Sequence, residues 1–144
     1  MGIRIIVDST ADMRPEVAEK VGIVPLTVHF GDKEYISGVN INPKKFYEML
    51  VESDELPTTS QPTPVAFEEA FEKAVEAGHE VVCLTCSGKL SGTCQSANIA
   101  AAEFSGKVHV TLTELRELLF HFRCISSCCR VGNLIQKVCH LGQR

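Results

Sequence analysis

The sequence predicts an α/β protein: a mostly parallel sheet flanked by helices, followed by a tail of a different character. Two observations carry this. Over the first 110 residues, short β-branched or apolar runs alternate with amphipathic segments, the pattern of strands joined by helical crossovers. After Val110, charge and cysteine content change together. Residues 1–110 hold 9 Lys+Arg against 16 Asp+Glu, a balance of −7, whereas residues 111–144 hold 5 against 2, a balance of +3. Four of the seven cysteines (Cys124, Cys128, Cys129 and Cys139) crowd that last stretch. We therefore divide the chain into an α/β domain, 1–110, and an atypical Cys-rich tail, 111–144.

The strands and helices follow in order. Ile3-Arg4-Ile5-Ile6-Val7 is a short β-branched run, suited to a buried strand. Asp8 to Asp12 is a polar loop at its carboxyl end, and Arg14 to Val21 reads as a helix stopped by Gly22. Ile23 to Phe30 is a second strand, its proline pointing to an edge or a strand start. Gly31-Asp32-Lys33 turns it, and Glu34-Tyr35-Ile36 pairs back. Asn42-Pro43 opens a helix whose apolar side is Phe46, Tyr47, Met49 and Leu50. Leu56 to Pro64 is a hydroxyl-rich loop held extended by prolines. Thr63 caps the next helix, in which Phe67, Ala70, Phe71, Ala74 and Val75 recur at helical spacing and face a core. Val81 to Thr85 is a strand, Ser96 to Glu103 a helix, and Lys107 to Val110 a last strand.

Between that strand and that helix lies Cys86-Ser87-Gly88-Lys89-Leu90-Ser91-Gly92-Thr93-Cys94. Strand, small-residue loop, helix is the geometry in which an open α/β sheet binds ligands at its carboxyl edge. A helix start offers unpaired N–H groups and the positive dipole end, and Ser87, Ser91 and Thr93 add neutral donors. Together they make a small anion cradle. The plainer reading is that Ser91 only caps the helix. A P-loop is excluded by the missing Gly-Lys-Ser/Thr ending, and Ser87 and Ser91 lie outside a Gly-x-Ser-x-Gly elbow. If the loops at Asp8-Ser9-Thr10, Thr58-Thr59-Ser60 and Ser87 to Thr93 share one sheet edge, they converge on a single crevice. Such a crevice suits holding an anionic head. It does not suit hydrolysis, since no His, Asp or Cys is visibly paired to a nucleophile.

Four segments in order now carry a resemblance: Asp8-Ser9-Thr10-Ala11-Asp12, Val24-Pro25-Leu26, Thr59-Ser60-Gln61-Pro62, and Leu90-Ser91-Gly92-Thr93-x-Gln95-Ser96-Ala97. Over residues 1–110 the chain resembles the N-terminal domain of the DegV family of bacterial fatty-acid-binding proteins. The resemblance implies that the intact protein binds a long-chain fatty acid in an apolar tunnel between two domains. Its carboxylate would be held by Thr59 and Ser91, with the backbone around Gly92 and Thr93 assisting. It implies a lipid-binding carrier that serves a fatty-acid kinase, the chemistry belonging to the kinase. No cofactor and no metal are expected. Cys94 stands where the family usually has Tyr, Gly88 where a second Ser is common, and Ser37 where Asp usually precedes Gly38. The family's second domain, which brings the other tunnel wall with an Arg and a His, does not follow. The chain therefore reads as truncated, with weak binding by this piece alone. The reading from a different class is an acyl- or phosphoryl-transfer enzyme with Ser91 as nucleophile, which requires a base beside it.

After Val110 the family would continue Val-Asp-Ser into a long helix; here Thr111-Leu112-Thr113 leads into the Cys-rich segment. Val110 to Thr113 can be written GTG ACT CTG ACN, and restoring one G gives Val-Asp-Ser-Asp. A single-nucleotide frameshift is thus one account of the tail. The other is a metal or disulfide tail, against which stands the lack of paired C-x-x-C knuckles. Leu115, Leu118, Leu119, Phe122 and Ile125 form an amphipathic helical stripe. A net charge of −4 gives no general attraction to nucleic acid. No apolar run approaches the roughly 20 residues of a membrane span, and Met1 opens straight into a strand without a leader. The expected location is cytoplasmic.

Overall fold

Pro25 divides the molecule. The apolar run around it enters one sheet and leaves in another, so the expected strand 23–30 is two strands. The structure, a computed structural model, describes residues 2–11 and 13–112. The larger sheet contains β1 (Gly2–Asp8), β2 (Gly22–Val24), β6 (His79–Thr85) and β7 (Val108–Leu112), all parallel, in the order β2-β1-β6-β7. The smaller contains β3 (Thr27–Phe30), β4 (Lys33–Ile36) and β5 (Thr58–Ser60), antiparallel, in the order β4-β3-β5. Proline has no N–H for a ladder, and the Leu26 N–H donates to Ser9 Oγ at 3.0 Å instead of to a strand. That is why the run breaks there.

The helices are α1 (Pro15–Ala18), α2 (Pro43–Glu52), α3 (Pro64–Glu76) and α4 (Thr93–Ala101), the last continued by a 3₁₀ turn at Ala102–Phe104. In α2 and α3 the caps match expectation: Asn42 accepts from Lys45 N–H at 2.8 Å, and Thr63 from Ala66 N–H at 3.3 Å, each followed by proline in the first turn. Gly78, at φ +81°, ends the α3 region in the left-handed conformation that glycine adopts without strain. The expected helix 14–21 shrinks to the four residues of α1, which buries nothing. Such a turn has no packing to extend it. The helix expected from Ser96 starts at Thr93, and the strand expected at 107–110 lies at Val108–Leu112.

Phe67, Phe71 and Ala74 of α3 and Ala97 and Ala100 of α4 pack on Ile6, Val24, Val81, Cys83 and Val108 of the parallel sheet. Ala70 and Val75 sit at the margin of this core. Small residues on α4 let it lie close to α3 and β7. The small sheet and α2 form a lighter layer, held by ring contacts from Phe30 to Tyr35 (6.2 Å) and to Phe46 (5.7 Å). No residue of α2 is buried. The boundary at 110 falls inside β7, which runs to Leu112. The expected tail helix, its cysteines and the rest of the tail lie outside the described residues.

Candidate functional site

The site follows from the strand order. The chain leaves β1 toward β2 on one side and leaves β6 toward β7 on the other. The loops after these adjacent central strands therefore diverge, and a crevice opens between them at the carboxyl edge. Asp8, at the end of β1, is buried and holds the two loops together. Its Oδ2 accepts the Cys86 N–H at 2.7 Å, and its Oδ1 accepts the Thr10 N–H at 2.8 Å and the Thr10 hydroxyl. Ser9 faces away, accepting from Leu26.

The third wall is β5. The segment 58–60, expected as a loop, is an extended strand on the free edge of β3, with Thr59 opposite Val28. Its three residues are exposed, so apolar patterning could not reveal it; backbone pairing with β3 and the contact of Ser60 Oγ with His29 Nε2 hold it. Thr10, Thr59, Gln61, Cys86, Ser91 and Gly92, with Leu26 and Leu90, line one cleft of about 550 Å³. Every one of these is uncharged. The three hydroxyl-rich loops thus meet in one place.

Within the loop after β6, Ser91 Oγ lies 2.8 Å from Thr93 Oγ1 and accepts the Thr93 N–H at 3.2 Å. The residue at the helix boundary is Gly92, and Ser91, one position earlier, caps from outside by taking the first N–H of α4. Thr93 is fully buried and absent from the cleft lining; it supports Ser91 from below. Ser87 is also buried, its Oγ accepting from Lys89 N–H at 3.3 Å, and Lys89 points to solvent. Of the four predicted head-group residues, Thr59, Ser91 and Gly92 border the cleft and Thr93 does not.

Burial, followed by the charge of Asp8, pushes the Cys86 thiol above its ordinary range. Cys83, buried in the core, is pushed up to about 12 by burial, then by Asp8 and Cys94. Among the described residues no His, Asp, Glu or Lys lines the cleft. His29 does not stand beside Ser91: its Nε2 lies 2.8 Å from Ser60 Oγ, and its Nδ1 is 3.6 Å from Glu34. Among the described residues no three His, Cys, Asp or Glu side chains gather to hold a metal. A second groove, about 640 Å³, lies between β1, β2 and α3 and contains none of the loop hydroxyls.

The family model described as "Uncharacterised protein, DegV family" matches residues 2–118. The chain belongs to the DegV family. A DegV domain-containing protein of Clostridium acetobutylicum is 39% identical over 143 residues, 98% of this chain and 48% of that one. Among solved structures, a fatty-acid-binding DegV family protein from Thermus thermophilus is 38% identical with a TM-score of 0.68, covering 79% of this chain and 41% of that one. The Streptococcus pneumoniae Fatty Acid Kinase B3 protein, loaded with linoleic acid, is 27% identical with a TM-score of 0.62, covering 76% and 41%. The chain spans less than half the length of these relatives. The family match runs past residue 110 to 118, and the Clostridium alignment nearly to the end.

Four cleft residues have no role assigned from sequence: Leu26, Leu90, Gln61 and Cys86. Gln61 sits between a hydroxyl cluster and Pro62, and nothing in that spacing marks it as a wall of the cleft. Cys86 enters only because its N–H bonds Asp8, 78 residues earlier. Among the described residues no helix is long and apolar enough to cross a membrane.

Proposed function

We propose that this DegV chain forms the head-group half of a long-chain fatty-acid site, a carrier rather than a catalyst, with Thr59 and Ser91 as the hydroxyls that hold the carboxylate. The observation carrying this is the convergence of Thr10, Thr59 and Ser91 on one uncharged cleft at the sheet's carboxyl edge. Neutral donors orient a carboxylate without a transfer reaction, and the start of α4 adds favourable dipole. Fatty-acid binding by the Thermus relative supports the ligand class, and the pneumococcal relative, named as a fatty-acid kinase protein, supports service to such a kinase. Burial of each methylene contributes about 0.8 kcal/mol, so an acyl chain only partly covered binds weakly.

The test is native mass spectrometry and titration calorimetry of the purified chain with a long-chain fatty acid. Weak saturable binding without a co-purifying acid is expected, the affinity cut about 10-fold by Thr59→Ala or Ser91→Ala. Unchanged affinity in both variants overturns the carboxylate assignment. Labelling of Ser91 by a fluorophosphonate probe would instead establish it as a nucleophile.

A further inference from the structure

We propose that Gln61 is a positioning residue: its carboxamide clasps the loop after β6 and sets the spacing between the Thr59 and Ser91 hydroxyls. This rests on reading the cleft as a head-group site. The difficulty it resolves is mechanical. Thr59 sits on a three-residue strand, exposed throughout and paired only with β3. Ser91 sits on the far wall, attached to the parallel sheet. Two hydroxyls on different sheets serve one head group only if something fixes their separation.

Gln61 is two residues beyond Thr59, and its Nε2 donates to Ser96 Oγ on α4 at 3.1 Å. Ser96 is buried, so its hydroxyl is a fixed anchor. Gly92 supplies the independent observation. A Cβ built there would stand 2.9 Å from both Gln61 Cδ and Nε2, and closer still to Oε1. Gly92 has φ −74° and ψ 5°, backbone that any residue can adopt. The carboxamide thus occupies the place of the missing side chain, and a side chain at Gly92 would push it out. The carboxamide fills the space beside Gly92 with Oε1 nearest, one N–H goes to Ser96, and the side chain borders the cleft. Pro62, buried immediately after, stiffens the backbone that carries it. The small sheet is thus latched onto the large one at the residue next to Ser91.

Size complementation in the full 144-residue chain tests the contact. Gly92→Ala should push the carboxamide off Ser96 and lower Tm by about 2 °C, and in a Gln61→Ala background the same change should cost almost nothing. An equal loss with and without Gln61 overturns the clasp. The functional readout is the ratio of affinities for a long-chain fatty acid and the alcohol of equal length. Gln61→Ala should reduce the preference for the acid at least 5-fold while leaving alcohol affinity unchanged. Equal weakening of both ligands would make Gln61 merely structural and overturn its positioning role. If the unmutated chain binds neither ligand, the head-group reading fails. The clasp then stands or falls on the complementation and on whether Gln61→Ala speeds amide exchange at Ser91 and Thr59.

Discussion

The two sheets do different work. The parallel sheet is anchored by side chains that are fully buried: Phe67, Phe71, Val81 and Cys83 have no accessible surface. The antiparallel sheet has one buried residue, Val28, and its partner helix α2 has none. The first is a scaffold whose geometry is over-determined; the second is a strap whose geometry depends on a few contacts. Yet each contributes a hydroxyl to the same cleft. Precision at the site is therefore limited by the weaker sheet, and contacts that tie strap to scaffold matter beyond their number.

The sharpest contrast comes from removing one aromatic ring from each layer. Phe71→Ala opens a cavity against Phe67 and the edge of Phe104, and should cost about 3–5 kcal/mol of global stability in urea unfolding. Phe30→Ala removes ring contacts to Tyr35 and Phe46 on a half-exposed surface, and should cost about 1 kcal/mol. Its larger signature is local: faster amide exchange in β3 to β5 with β1 and β6 protected as before. Equal global losses would mean that the two layers unfold as one unit and that the distinction fails.

The smallest effect concerns pH. The Cys83 thiol is raised from 9.0 to about 12 by burial, Asp8 and Cys94. A raised folded value means the neutral thiol's contribution is whole below pH 9 and is lost as pH climbs toward 12, because the unfolded chain ionises first. Cys83→Ala should flatten the stability curve in that window. An unchanged slope there would place the alkaline sensitivity elsewhere.

How much of this could be read from the chain follows the same division. Apolar periodicity gave β1, α3 and β6, since those elements bury a stripe or a run in the scaffold. It failed where side chains do not pack. The extended segment 58–60 is polar and exposed, and α1 stops after a single turn. Pro25 signalled an edge, and the outcome was stronger, a change of sheet. Within the site, Thr59, Ser91 and Gly92 were legible as members of hydroxyl- and glycine-rich loops, whereas the burial of the Thr93 side chain is not written in residue type. Gln61 and Asp8 act across 35 and 78 residues, distances at which no local pattern speaks.

The register of the central strands has a kinetic consequence. Ile6 pairs with Cys83, and every other β1–β6 pair spans the same 77 residues. A ribosome must therefore release β6 before β1 finds its principal neighbour. Until then a β-branched strand waits with an open edge, while α3 and the hairpin of β3 and β4 can form from nearby chain. Parallel pairing over such a separation is slow, and nascent β1 is the segment on which a chaperone would first be needed.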